Sequence, residues 1–163
     1  MNIKINKKTI IVIILILVVA LGGIFLLNNS QKKEKINQEQ EQVKNIIIEF
    51  GKAMRSVPLA ASEDIIIKAI ENNYSDFISP DLLASWVNNP LSAPGRLTSS
   101  PWPDRIEIFS LSKNQDGSYV AQSNVIEMTS RELVVGGVAD MYGVTIIIQK
   151  QDGKWLITQF KKL

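Results

Sequence analysis

The sequence is constrained most by residues 9–27, which read TIIVIILILVVALGGIFLL and contain no charged side chain. A helix of this length extends about 28 Å at about 1.5 Å per residue, which is close to the thickness of a bilayer's hydrocarbon core. A helix also pairs its own backbone groups, as lipid requires. The run therefore predicts a transmembrane helix that contacts membrane lipid through residues 9–27.

Two alternatives to a membrane anchor, a cleaved signal peptide and a buried core helix, predict a different length or pattern of apolar residues. A cleaved signal peptide has an apolar region of about 7–15 residues followed by a small-residue cleavage site. Here the run is longer, and its small residues Ala20 and Gly22 lie inside it. A buried core helix would show a polar face, and this run has none. An uncleaved signal-anchor is the interpretation that we favour.

Lysines flank the run on both sides, three within residues 1–8 and three within residues 32–35. The lysines of the short tail lie closer to the run, and the α-amino group adds a positive charge there. We therefore expect residues 1–8 to be a cytoplasmic tail and the C-terminal domain to lie outside the cytoplasm. Residues 28–42 are polar and read as a spacer or a helical stalk.

The chain has no cysteine and no histidine. This removes disulfides and thiolate chemistry, together with the commonest metal ligand and the usual general base near neutral pH. Beyond residue 27 the charges nearly balance, without the basic stripe of a nucleic-acid-binding domain. We predict no nucleic-acid partner, no cofactor, no metal site and no catalytic residues.

Three helices are predicted after the spacer. The first covers about residues 40–55, because apolar residues recur there at spacings of three and four. Ser62 begins the second as its N-cap, and Ser79 followed by Pro80 begins the third. The inward residues expected of the first helix are Val43, Ile46, Ile47, Phe50 and Met54. Residues 88–104 then form a long proline-rich loop, a type that is often functional.

From about residue 105 the apolar period becomes two, which is typical of strands. Strands are predicted at residues 105–112, 118–129, 138–150 and 154–161. Short glycine-containing turns, such as Asp152-Gly153, join them into an antiparallel meander. Helices first and strands after them predict an α+β domain over residues 43–163, with the helices on one face of a curved four-stranded sheet.

This order of three helices and a meander, closed by the hairpin Asp152-Gly153-Lys154-Trp155-Leu156-Ile157, resembles the nuclear transport factor 2-like superfamily. The resemblance covers about residues 43–163 and implies a cystatin-like cone of helices against a curved sheet. Some relatives combine one N-terminal span with an extracytoplasmic domain of this fold, such as the scaffold component of type IV secretion machines. The enzymes of the superfamily use acids, histidine or tyrosine inside the cone, and no catalytic residue is carried over here.

Four residues near the proline-rich loop are candidates for an interaction surface or for the mouth of the cone. Trp86 and Trp102 flank the loop, and tryptophan is enriched at binding hot spots. Core packing is the favoured alternative for both. Asp104 and Arg105 begin a strand, where they would either contact a partner or lie in solvent at the strand end.

The first functional hypothesis is a non-enzymatic, membrane-anchored scaffold or protein-interaction module that binds cell-envelope proteins. The second is a module that binds a small apolar ligand in the cone. The third is a cyclase- or isomerase-type enzyme. A sealed cone favours the first, whereas an inward acid beside Tyr74, Tyr119 or Tyr142 would favour the third. Glu107 and Glu127 are expected on the outer, wet face of the sheet.

Overall fold

The computed structural model describes residues 34–163. The predicted tail and transmembrane helix, residues 1–8 and 9–27, lie outside the described residues. Among residues 34–163, no helix is long and apolar enough to cross a membrane. The chain divides into two compact units at Glu39, and residues 40–163 form the larger one.

Over residues 34–163 the fold is α+β, with four helices and one four-stranded antiparallel sheet. Helix α1 extends through residues 34–53, so residues 34–42 of the predicted spacer or stalk are helical. A 3₁₀ turn, Met54–Ser56, follows it. The other helices are α2 (Glu63–Tyr74), α3 (Pro80–Asn88) and α4 (Ser130–Val135). A second 3₁₀ turn, Pro90–Ser92, follows α3.

The strands are β1 (Trp102–Lys113), β2 (Tyr119–Met128), β3 (Asp140–Gln151) and β4 (Lys154–Lys162). They pair in the order β1-β2-β3-β4, as the meander prediction requires. The turn between β3 and β4 has positive φ at both Asp152 and Gly153. This conformation matches the right-handed twist of a two-residue hairpin and explains the aspartate-glycine pair.

The helix signals predicted from the sequence are confirmed in most respects. Ser79 accepts a hydrogen bond from the Leu82 amide and caps α3, with Pro80 in the first helical position. Ser62 is the N-cap residue of α2, but its hydroxyl donates a hydrogen bond to the Asp64 carboxylate and makes no hydrogen bond to the helix backbone. The predicted face of α1 is buried at four of its five positions, and Ile46 is half-buried.

One boundary predicted from the sequence is wrong, and one helix has no predicted counterpart. Strand β1 begins at Trp102, so residues 102–104 belong to the sheet and the irregular segment ends at Pro101. Helix α4 was not predicted at all. Thr129 and Glu132 form its capping box, in which each side chain bonds the backbone of the other residue. That spacing of threonine and glutamate was a usable sequence signal.

One main core lies between the helices and the inner face of the sheet. Strand register places Tyr119, Ala121, Ser123 and Val125 of β2 on this face, opposite inward residues of β1 and β3. The centre is filled by an aromatic quartet, which consists of Phe50, Tyr74, Trp86 and Phe160. A smaller cluster of Trp102, Ile126 and Met128 is separate from the main core.

Candidate functional site

The four candidate residues do not converge on one site. Trp86 is 4% exposed and belongs to the aromatic quartet, with its ring centroid 5.6 Å from that of Tyr74. Trp102 belongs to the smaller cluster, and the Arg55 guanidinium carbon lies 4.7 Å from its ring centroid. Both indoles are therefore packed inside the domain, and their role at an interaction surface stays a prediction.

Asp104 and Arg105 pair with each other. The Arg105 Nη1 atom lies 3.0 Å from Asp104 Oδ2, and its Nη2 atom lies 2.7 Å from Glu107 Oε1. The hydrogen bond to Glu107 is the main cause that raises the pKa of Arg105 above its ordinary value. These groups are partly exposed, so the ion pairs add little stability. They form a small charged network at the start of β1.

The largest unpredicted feature is an apolar tip at the connection between β2 and β3. We use this name for the exposed residues Leu133, Val134, Val135, Val138 and Met141. Val134 is 84% exposed and Val135 is 69% exposed. The residues from Leu133 to Ala139 carry no charge. Exposed apolar patches are typical of surfaces that bind proteins or membranes.

The local sequence explains why the tip holds its shape. Thr129 accepts from the Arg131 amide, while the Glu132 carboxylate accepts from the Thr129 amide and hydroxyl. Gly136 and Gly137, both at positive φ, then let the chain leave α4 and turn into β3. Leu133, Val134 and Val135 are thus presented on a capped helix that buries none of its own residues.

The direction of α1 places the tip at one end of the folded unit. Gln40 shares a groove with Leu111, near the hairpin that joins β1 and β2. At the other end of α1, Arg55 lies over Trp102, which pairs with Met128 two residues before α4. Within this unit, the Gln40 end of α1 and the apolar tip therefore lie at opposite ends, about 20 Å apart along α1.

A cavity of about 220 Å³ opens beside the core at the same end of the sheet as the tip. We call it the mouth cavity. Its walls come from the segment before α2, from the turn and loop after α3, and from β3 and β4. They include Leu59, Ala93, Leu97, Tyr142, Phe160 and Lys162. The Tyr74 hydroxyl donates to the carbonyl oxygen of Pro94 at 2.5 Å and so ties the wall to the core.

One of the two acidic residues expected on the outer face of the sheet lies on its inner face instead. Glu127 lies on the inner face of the sheet with Val125, not on the outer face, because β2 is regular through this stretch. Burial is the main cause that raises its pKa, and the charge of Asp140 on the next strand adds to the effect. Glu107 is exposed, as expected.

Tyr142 lies close to this acid on the same face. Burial, with a smaller contribution from Glu127, raises the pKa of Tyr142 to about 12. Its hydroxyl therefore stays protonated at physiological pH, and it can both donate and accept a hydrogen bond. Glu127 is not among the residues that line the mouth cavity. An inward acid beside Tyr142 is the arrangement named above for the third hypothesis.

In the part of the chain that the structure describes, no group of three or more acidic side chains is placed to hold a metal ion. Buried polar atoms without a hydrogen-bond partner are Trp102 Nε1, Tyr119 Oη, Ser123 Oγ and Trp155 Nε1. They are distributed over both clusters and do not surround a common point.

Comparison with known proteins places the chain in no family. No model of a known protein family matches it, and no protein of curated function does. Among solved structures, it is similar to the intermembrane space region of the chloroplast protein ARC6, at 14% identity and a TM-score of 0.41. The match covers 77% of this chain and 95% of that one.

Proposed function

We propose that this chain is a membrane-anchored, non-enzymatic interaction module whose apolar tip binds another protein of the cell envelope. The observation that carries the proposal is the exposure of the tip, whose five large apolar side chains are 44% to 84% exposed. Burying apolar surface contributes about 25 cal/mol per Å², so a complementary apolar partner would gain substantially there.

The membrane part of the proposal rests on residues 9–27, which carry no charge. We propose that they form a single-pass anchor with the N-terminus inside, and that residues 43–163 are an NTF2-like cone domain outside the cytoplasm. An anchor confines the module to the membrane and raises its effective concentration near membrane partners.

A protein is the partner that we propose for the tip, in preference to the anchor's own lipid. The segment around the tip lacks the basic residues by which surface helices bind anionic lipid, since Arg131 is balanced by Glu132. Nucleic acid is not expected as a partner for the same reason.

Site-specific photo-crosslinking in intact cells tests the proposal. A photoreactive amino acid at Val134 should give a discrete crosslinked protein, which the additional change Val135→Asp removes. The matched control is Ile65 on α2, which is 48% exposed and lies outside the tip. The proposal fails if both positions give the same products, or if the full-length chain is released from membranes by alkaline carbonate.

A further inference from the structure

The mouth cavity combines one cation with mostly apolar walls, and the binding proposed for the apolar tip does not involve it. Lys162 is the charged residue among those that line it, and leucine, alanine and aromatic side chains form most of its walls. The Lys162 ammonium lies 3.9 Å from the centroid of the Tyr142 ring. A cation is thus held at the rim of an apolar space.

The Lys162 ammonium is not in a salt bridge with any of the described residues, so its hydrogen-bond donors can bind a ligand. Among residues 34–163, no carboxylate lies within salt-bridge distance of Lys162. Glu127 and Asp140 stand opposite each other at this end of the sheet and weaken its positive field. The ammonium can donate up to three hydrogen bonds, and the protonated Tyr142 hydroxyl is a further donor at the cavity.

We propose that the mouth cavity binds a small monocarboxylate with an apolar body, its carboxylate on Lys162 and its body against Phe160. The volume of about 220 Å³ accepts about seven groups of water size, at about 30 Å³ each. A chain of about that many carbons fits inside, while its carboxylate stays at the rim. A hydrogen bond between ions of opposite charge is stronger than one between neutral groups.

The three tryptophans make this site observable in the intact protein. Trp86 contacts the cavity wall through Phe160, with 6.4 Å between ring centroids. Trp102 lies in the separate cluster, and Trp155 contacts Tyr119. The full-length chain labelled with 5-fluorotryptophan and placed in lipid nanodiscs should therefore give three fluorine signals, which single tryptophan-to-phenylalanine variants would assign.

Octanoate is the probe, and octylammonium has the same body with the opposite charge. Octanoate should shift the Trp86 signal in a saturable way and leave Trp102 and Trp155 unchanged. It should bind at least about ten-fold more tightly than octylammonium, the effect of a charge-assisted hydrogen bond. Equal shifts of all three signals, no saturable shift, or equal binding of both probes would overturn the proposal.

Two variants complete the test. Lys162→Met should abolish the preference for octanoate, whereas Lys161→Met should keep it, because Lys161 lies opposite Thr145 on the outer face. Retained preference in Lys162→Met contradicts the proposed site. The variant Val134→Asp should bind octanoate normally, so the test gives a result whether or not the tip binds a protein.

Discussion

Gly51 of α1 packs directly on the backbone of Ile106 in β1. A Cβ atom at Gly51 would lie 2.7 Å from the Ile106 amide nitrogen and 2.9 Å from its Cγ1 atom. The glycine therefore lets the helix approach the edge strand of the sheet. Glycine lowers the stability of the helix relative to alanine, but a larger residue could not make this close contact.

We expect Gly51→Ala to destabilise the domain in spite of alanine's higher helix propensity. The steric clash is with backbone, which cannot move aside as a flexible side chain can, and overpacking of this kind costs about 1–3 kcal/mol. Denaturant unfolding measures the change. Lys52→Ala, on the exposed side of the same helix, should be nearly neutral. A stabilised Gly51→Ala variant would contradict the close approach of α1 and β1.

Trp155 is expected to be a large contributor to the main core. It is 6% exposed, and its ring meets that of Tyr119 edge to face at 5.2 Å. Trp155→Ala should lower the free energy of unfolding by about 3–5 kcal/mol. The exposed neighbour Lys154→Ala is the control. An unchanged melting temperature would show that β4 does not pack as described.

Tyr74 links the core to the wall of the mouth cavity through its hydrogen bond to Pro94. Tyr74→Phe keeps the ring but leaves that carbonyl without its partner, which costs about 1–3 kcal/mol. Relative to the original chain, we expect the variant to speed amide exchange more in residues 91–97 than in the sheet. Hydrogen exchange followed by mass spectrometry measures this. Uniform acceleration throughout the domain would indicate a global effect instead.

Glu127 should make stability depend on pH. Its pKa is raised in the folded domain, mainly by burial, so folding favours the protonated form. This contribution is present below the ordinary glutamate pKa, near 4.3, and is lost as pH rises through the raised value. Glu127→Gln should therefore be more stable than the original chain at pH 7, and the difference should shrink near pH 4. Thermal melts at both values test this, with Glu107→Gln as the exposed control.

The domain is expected to fold without the apolar N-terminal run. The main core is formed by residues between Val43 and Phe160, within the compact unit that begins at Gln40. Deletion of residues 1–28 should leave a soluble, monomeric protein with a cooperative thermal transition. Circular dichroism and light scattering measure both properties. Recovery only from inclusion bodies would show that the deleted segment contributes to folding.

Local signals in the sequence were sufficient for the order of most elements. The stripe of α1, the Ser79-Pro80 start of α3 and the Asp152-Gly153 turn each depend on chemistry within a few neighbouring residues. Helix α4 was missed because residues 130–135 lie between the strands predicted at 118–129 and 138–150, where Gly136-Gly137 indicated only a reversal of the chain. Its capping box was visible but lay beside an apolar run.

Tertiary structure alone decided which apolar residues became surface. Leu133 and Val134 are as hydrophobic as the residues of the core, and only the absence of a packing neighbour makes them a tip. Likewise, Glu127 lies on the inner face because strand register couples it to Val125, and both faces of β2 carry apolar residues. Periodicity identifies an element, but burial depends on contacts between residues that are distant in the chain.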